Sequence, residues 1–447
     1  MTDEPVTERA TFGTRVGTIL TMIGVAVGLG NVWRFPYLVG RYGGGAFVLF
    51  YVLVAVAIGV PALIAEWTLG RHTRRGTVGA FQRGGLPGGR FVGGFLFCVV
   101  IAATAYYTNV VGWVLYFALG ELLEAVGVTL NPAAILPPDT GFNARSFLLQ
   151  LACTGVVIAS CAAILLRGLR TGIERASKVI MPALFLILLL LIVRSVTLPG
   201  AGEGLRWYIG KFAWSDLTPT VMVAAMGQAI FSLSLGGTFM VTYGSYLSDG
   251  EPLLGSAVWT VFGDTAAGLM AGLVIFPAVF AFGLTPGSGP GLLFDTIPHV
   301  FAQMPGGAVF GLLFFLGLFG AAYLSDIAAF EVLVAGVVDN TRLTRRTAII
   351  ALSCIVGVVA LIPMLNLRIF VMWDLTFGSG MQVLGSLLVV ITVGWFVQRG
   401  TLLGQLGAAG VGRTLLVVCI RYLIPLAMLA VGAWWLLTDV LGIVSKV

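Results

Sequence analysis

Residues 24–36 combine glycines with polar side chains that could bind a ligand, and they lie in an apolar stretch long enough to cross a membrane. The segment contains three glycines, Asn31, Arg34 and a proline, and glycine and proline weaken a helix. Backbone groups freed inside a bilayer are costly unless protein or a ligand pairs with them. Polar side chains at membrane depth usually serve a function. We therefore predict a broken spanning helix that binds a ligand, with a glycine-rich packing seam as the alternative.

The composition is that of an all-α polytopic membrane protein. Of the 447 residues, 58% are hydrophobic and 10% are charged, and each spanning helix needs about 20 apolar residues. The net charge of +6 comes from arginines in short loops, so we expect a lipid bilayer and no nucleic acid as partner. The sequence predicts one transmembrane domain over 1–447 with eleven spans, at roughly 12–38, 44–70, 90–124, 146–167, 174–198, 217–247, 254–285, 307–338, 346–366, 369–398 and 413–437.

The arginines also predict the orientation. They cluster in the loops after predicted spans two, four and eight, which all lie on one side of the membrane. Basic loops face the cytoplasm, so we expect a cytoplasmic N-terminus in the plasma (inner) membrane. An odd number of spans then places the C-terminus outside.

A second stretch, residues 227–238, also mixes glycines with polar residues inside predicted span six. Spans one and six cross in opposite directions because they are five positions, an odd number, apart in the order of spans. The two interruptions predict inverted repeats over about 12–198 and 217–398, with 413–437 as an extra helix and a site between the breaks. The prediction rests on the interruptions alone, because no clear sequence repeat accompanies them.

Several motifs resemble the signature of the neurotransmitter:sodium symporters. They are Trp-Arg-Phe-Pro-Tyr at 33–37, Gly-Gly-Gly-Ala-Phe at 43–47, Phe-Ser-Leu-Ser-Leu-Gly at 231–236 and Thr-Tyr-Gly-Ser-Tyr at 242–246. The similarity covers essentially the whole chain, which looks like a bacterial member of the family. It implies sodium-coupled import of an amino acid by alternating access, in a fold of two five-helix inverted repeats. A monomer suffices for this function, and a dimer is compatible with it.

The resemblance also implies a substrate site between the breaks. A substrate carboxylate would contact the amides of Leu29 and Gly30 and the hydroxyl of Tyr107. The remaining positions that the family pattern assigns to substrate binding are Ala26, Ala103, Phe231, Ser232, Ser234, Gly237, Ser325, Asp326 and Ala329.

Sodium is a hard cation that prefers oxygen ligands, and the family pattern implies two sets of them. At the second set Leu324 replaces an oxygen ligand, so we expect one sodium, and two only if water or Asp326 supplies the missing oxygen. The first set is Ala26, Asn31, Ser232 and Asp264, and the second is Gly24, Val27, Ala321 and Ser325.

Asp264 and Asp326 depart from the family pattern. Asp264 replaces an asparagine, and Gly268 stands where chloride-dependent relatives carry serine. A fixed carboxylate beside sodium would supply the negative charge that chloride provides in those relatives. We therefore predict chloride independence, with a protonatable Asp264 in return transport as the alternative.

Asp326 sits where relatives carry Ser or Thr, on the face predicted to line the side-chain pocket. A carboxylate there favours a substrate with a large or cationic side chain, because an unpaired buried charge is costly. The alternative is a bulky apolar substrate, with Asp326 bound to an ion or to a neighbouring span.

Charged residues match the family's two gates. Arg34 and Asp374 correspond to an outer ion pair above the site. Arg9 and Asp339, steadied by Tyr246, correspond to an inner one. In addition, Glu66 in span two is predicted to accept hydrogen bonds from backbone amides freed by a break.

Other functional classes fit the sequence less well. A channel would show a repeated filter motif. A membrane enzyme would need a cluster of reactive or metal-binding residues at depth, whereas the two histidines, His72 and His299, fall in loops. A proton-coupled amino-acid carrier of the same fold is the closest alternative, and sodium dependence separates it from the main hypothesis.

Overall fold

In a computed structural model of the chain, residues 9–124, 127–210, 212–285, 292–406 and 411–440 are described, and this part of the chain is helical without strands. Most predicted spans coincide with one long helix each. In chain order the helices are α1 (Arg15–Ala26), α2 (Gly30–Tyr42), α3 (Gly45–Thr73), α4 (Thr77–Arg83), α5 (Gly89–Glu124), α6 (Ala144–Leu166), α7 (Leu169–Val196), α8 (Ala201–Leu205), α9 (Pro219–Ser232), α10 (Phe239–Gly244), α11 (Leu253–Ala281), α12 (Ile297–Gln303), α13 (Gly307–Asn340), α14 (Arg345–Ala360), α15 (Leu367–Phe396), α16 (Arg399–Leu406) and α17 (Gly412–Thr438).

Eight of these described helices are long and apolar enough to cross a bilayer, and α1 with α2 forms a ninth crossing that is bent by 54°. Predicted span six appears as two shorter helices, α9 and α10, and predicted span nine as the 16-residue helix α14. A spanning helix usually needs about 20 residues, so α9, α10 and α14 are each shorter than a full span. The lengths of the eight long helices and of the bent pair support a multi-pass membrane protein.

The first break separates α1 from α2 at residues 27–29. Thr14 caps the start of α1, where its hydroxyl accepts a hydrogen bond from Gly17 N at 3.1 Å. The helix ends at Ala26 because Val27 has extended backbone angles. A Cβ atom on Gly28 would lie 2.6 Å from Ser325 Oγ and 2.7 Å from the Tyr107 hydroxyl. The glycine thus lets neighbouring helices approach the backbone at the break.

The second break occupies residues 233–238, in the C-terminal half of the predicted stretch. Ser234, Gly236 and Thr238 have left-handed φ angles of 52°, 88° and 58°, which are unfavourable for the two non-glycine residues. Side-chain contacts hold this geometry. Ser234 Oγ donates to Val25 O at 2.9 Å, so the second break contacts the last turn of α1, and the hydroxyls of Thr238 and Thr77 lie 2.7 Å apart.

The predicted role of Glu66 is confirmed at this break. Its Oε1 accepts hydrogen bonds from Gly236 N at 2.8 Å and from Ser386 Oγ at 3.2 Å. The side chain is fully buried. A freed amide of α9–α10 is therefore satisfied by a carboxylate from α3.

We expect Gly236→Ala to prevent stable folding. The left-handed φ costs a non-glycine residue about 1–3 kcal/mol, and the added Cβ would lie 1.6 Å from Gln382 O. Gly227→Ala, within α9, is the matched control. The nearest atom to a Cβ on Gly227 would be Val431 Cγ1 at 3.6 Å, which is an ordinary contact distance. Size-exclusion profiles and melting temperatures of the purified variants check this. A Gly236→Ala protein as stable as Gly227→Ala would contradict the backbone geometry.

Candidate functional site

A cavity of ≈ 60 Å³ lies where the two breaks meet. The breaks and the helices α5, α13 and α15 form its walls. Most of the predicted substrate-binding residues line it, namely Ala26, Leu29, Gly30, Ala103, Tyr107, Phe231, Ser234, Ser325 and Ala329.

One end of the cavity presents hydrogen-bond donors. Leu29 N lies 3.4 Å from the Tyr107 hydroxyl, and α2 begins at the next residue, Gly30. A helix N-terminus carries partial positive charge and free amides, which bind anions. The arrangement can therefore hold a carboxylate between Tyr107 and the start of α2.

Two of the predicted substrate-binding residues, Gly237 and Ser232, do not line the cavity. Gly237 is buried, and its missing side chain makes room for a ring, because a Cβ there would lie 2.5 Å from Phe239 Cδ2. Phe239, which the sequence did not single out, lines the cavity in its place. Ser232 is also buried and directs its hydroxyl to Asp264 instead of into the cavity. The prediction that Gly237 and Ser232 line the substrate site is therefore wrong for this cavity.

Asp326 also needs correction, because it does not line the cavity. Its side chain is fully buried, and its Oδ1 accepts a hydrogen bond from Thr108 Oγ1 at 2.9 Å. Its Oδ2 lies 3.7 Å from Cys161 Sγ. These partners belong to α5 and α6, so the carboxyl joins neighbouring spans, which is the alternative that the sequence left open. The argument for a cationic substrate loses its basis.

Three residues of the first predicted sodium set form one buried polar cluster. Asn31 Nδ2 donates to Ser232 Oγ at 2.9 Å and to Asp264 Oδ1 at 2.7 Å. Ser232 Oγ donates to Asp264 Oδ2 at 2.8 Å. Asn31 Oδ1 faces the first break, where it accepts from Gly28 N at 3.0 Å, and Ala26 of the same break lines the cavity. The oxygens suit a hard cation next to the carboxylate end of the cavity.

Two further polar side chains, Tyr51 and Gln228, lie beside this cluster. The Tyr51 hydroxyl lies 3.5 Å from both Ser232 Oγ and Asp264 Oδ2. Gln228 Nε2 donates to Gly30 O at 2.8 Å. Asp264 thus places a carboxylate where hydroxyl and amide groups could otherwise coordinate an anion.

The second predicted sodium set is brought together less completely. Ser325 Oγ donates to Val27 O at 3.0 Å and approaches Ala321 O at 3.5 Å. A Cβ on Gly24 would lie 3.1 Å from Leu324 Cδ1, so apolar packing occupies that side. Asp326 is held by Thr108 and does not replace the missing oxygen. This set therefore offers fewer oxygen ligands than the family pattern.

The inner pair of charged residues is joined. Arg9 Nη1 lies 2.6 Å from Asp339 Oδ2, and its guanidinium lies 4.7 Å from the ring centre of Tyr246. Tyr246 in turn donates to Glu331 Oε1 at 2.6 Å. Glu331, which the sequence analysis missed, is a buried acid on α13 that also binds Arg345. These contacts tie α3, α10, α13 and α14 to the N-terminal segment at the end that contains Arg9.

The other pair is apart. Arg34 and Asp374 line a common cavity of ≈ 570 Å³, yet no ion pair within 4.0 Å joins these two residues, both of which lie in the described part of the chain. The Arg34 guanidinium instead lies 4.2 Å from the ring centre of Phe231. This larger cavity shares Leu29, Tyr107 and Phe231 with the smaller one. The site is thus open towards the end that contains Asp374.

Comparisons with known proteins agree with this geometry. The chain matches the model of the Sodium:neurotransmitter symporter family over residues 9–127 and 146–437. An uncharacterized sodium-dependent transporter of Bacillus subtilis is 31% identical over 443 residues, which cover 94% of this chain and 96% of the relative. The sodium-dependent dopamine transporter of Bos taurus is 25% identical over 87% of this chain and 63% of its own length.

A solved structure is also similar. The crystal structure of MhsT in complex with L-phenylalanine superposes with a TM-score of 0.83 at 32% identity, covering 95% of this chain and 99% of MhsT. The family match and the relatives cover nearly all of the chain. The chain therefore belongs to the sodium:neurotransmitter symporter family and is a sodium-dependent, multi-pass membrane transporter of a small molecule, not an enzyme.

Proposed function

We propose that the protein imports a neutral amino acid with a large, mainly apolar side chain together with sodium, without a need for chloride. The observation that carries this proposal is that the carboxylate end of the cavity and a buried polar cluster are both built on the first break. The carboxylate end at Leu29 and Tyr107 lies within a few residues of the cluster formed by Asn31, Ser232 and Asp264. Such an arrangement lets one substrate group and one ion share the same break.

Coupling follows from that proximity. A substrate carboxylate at Leu29 and Tyr107 would add an oxygen to the ligands that Ala26, Asn31, Ser232 and Asp264 offer to sodium. Each ligand then raises the affinity for the other, because linkage is reciprocal. We propose one sodium at this set. A second ion at Gly24, Val27, Ala321 and Ser325 would bind more weakly, since Leu324 supplies no oxygen.

The walls support an apolar side chain. Ala103, Phe239 and Ala329 line the cavity, whereas Asp326 is bound to Thr108 outside it. A cationic side chain would then be buried without a partner, which is costly. The similar transporter MhsT was crystallised with phenylalanine. We therefore replace the cationic substrate favoured by the sequence with a bulky apolar one.

The larger architecture belongs to the proposal as well. The bent pair α1–α2 and the interruption between α9 and α10 support broken spans one and six, eleven spans, and inverted repeats within a single domain. Arg74 and Arg75 lie at the end of the joined pair, where Arg9 Nη1 donates to Arg74 O and Arg75 Nη1 to Asp339 O. Positive residues favour the cytoplasmic side, so the N-terminus would be cytoplasmic, the C-terminus external, and the open cavity external. One chain supplies the whole site, so a monomer suffices for transport.

Thermal stabilisation tests the proposal. A ligand that binds the folded state raises the apparent melting temperature by mass action. We expect phenylalanine, tyrosine, tryptophan or leucine to stabilise the detergent-purified protein in sodium and not in potassium. Stabilisation by lysine or arginine alone would contradict the proposed substrate class. Equal stabilisation in both salts would favour the proton-coupled alternative.

A further inference from the structure

Gln382 borders the small cavity from α15, at a position that the sequence analysis did not single out. Its backbone is held firmly against the second break by two glycines. A Cβ on Gly236 would lie 1.6 Å from Gln382 O, and a Cβ on Gly385 would lie 1.8 Å from Gly236 O. Because α15 and the break approach so closely, the side chain of Gln382 starts from a fixed point at the cavity wall.

The carboxamide of Gln382 has an unused hydrogen-bonding atom. Its Oε1 is buried, and no donor among the described residues reaches it. A buried polar atom without a partner is destabilising, and buried polar atoms are nearly always paired. Because Gln382 lines the cavity, a ligand there supplies the missing partner when the carboxamide turns towards it.

The chemistry of that partner follows from the group itself. A carboxamide offers an acceptor and donors in one plane, and a half-turn exchanges their places. It can therefore pair with a neutral O–H or N–H group on a substrate side chain. The neighbouring lining residues Ala103, Phe239 and Ala329 contribute apolar surface, which suits the remainder of such a side chain.

We infer that Gln382 is a specificity-determining residue, which selects amino acids whose bulky apolar side chain carries a neutral hydrogen-bond donor, such as tyrosine and tryptophan, over phenylalanine and leucine. The inference rests on the proposed function, since it assigns a side-chain preference to the same site. Sites built to bind a hydroxyl reject the analogue that lacks it, because their own polar group is then left unpaired.

Tyrosine and phenylalanine form a matched pair for the test, because they differ by one hydroxyl. We expect the wild-type protein in sodium to bind tyrosine at least about tenfold more tightly than phenylalanine. In Gln382→Met, which keeps the length of the side chain and removes the carboxamide, the ratio should fall to about one. Gln382→Leu serves as a second variant. Each protein's own phenylalanine affinity is the reference, so a general loss of affinity cancels.

The outcomes separate this inference from the proposed function. A wild-type ratio near one, or the same ratio in Gln382→Met and Gln382→Leu as in the wild type, would overturn the role of Gln382 while sodium-dependent phenylalanine binding still supports the transporter. No sodium-dependent binding of any amino acid to the wild type would overturn both. Isothermal titration or scintillation proximity binding supplies the affinities.

Discussion

Asp264→Asn will lower the apparent sodium affinity of the transporter. Asp264 accepts hydrogen bonds from Asn31 and Ser232 in a fully buried cluster, and it supplies the negative charge beside the proposed sodium. Truncating one member of a buried charged contact costs about 2–5 kcal/mol, which corresponds to at least roughly a 30-fold rise in the sodium concentration needed for half-maximal binding. Sodium titrations of substrate binding measure this change.

The double variant Asp264→Asn, Gly268→Ser makes the prediction sharper. A Cβ on Gly268 would lie 3.6 Å from Phe35 and 4.0 Å from Asn31 Nδ2, so a serine fits beside the cluster. With Tyr51 and Ser232 it would complete a set of neutral donors for an anion. We expect chloride to restore sodium-dependent binding in the double variant, whereas replacing chloride with gluconate leaves the wild type unchanged. A wild type that needs chloride would contradict the proposed role of Asp264.

Tyr107→Phe will weaken substrate binding with little effect on folding. The hydroxyl of Tyr107 lies 3.4 Å from Leu29 N at the carboxylate end of the cavity. A hydrogen bond to a charged group contributes about 1.5–3 kcal/mol, so the apparent dissociation constant should rise roughly 10- to 150-fold. Binding of the preferred amino acid at saturating sodium measures the loss.

Tyr106→Phe is the matched control for this variant. Tyr106 lines the same cavity, but its hydroxyl points towards α15, where a Cβ on Gly378 would lie 2.0 Å from it. We expect a clearly smaller loss of affinity than in Tyr107→Phe. Equal losses in the two variants would show that the Tyr107 hydroxyl has no special contact with the carboxylate.

The breaks could be predicted from sequence because their signal is local. Glycines beside polar residues in an apolar stretch identify a backbone that cannot remain helical without help. The role of Glu66 could be predicted for the same reason, because an amide freed by a break, such as Gly236 N, needs a buried acceptor. Both features depend on the residue types within a few turns of chain.

The direction of individual side chains could not be predicted in the same way. Ser325 and Asp326 are neighbours in sequence, but successive helix positions differ by about 100° around the axis. Ser325 therefore faces Val27 at the break while Asp326 faces Thr108 on α5. Which neighbour a residue meets depends on the packing of three helices.

Empty space was equally hard to predict. Gly237 is predicted to line the substrate site, whereas the ring of Phe239 fills the space beside it. Gln382 escaped notice because a single polar residue in an apolar helix gives no spacing to interpret. Its depth in the membrane was the available signal, since polar residues at that depth are usually functional.

Uptake into proteoliposomes under an imposed sodium gradient tests the central claim most directly. With sodium outside, potassium inside and gluconate as the anion, we expect radiolabelled phenylalanine or tyrosine to accumulate above its external concentration. Accumulation should vanish when sodium is equal on both sides. Accumulation driven by a proton gradient without sodium, or equal uptake in all salts, would contradict sodium-coupled import.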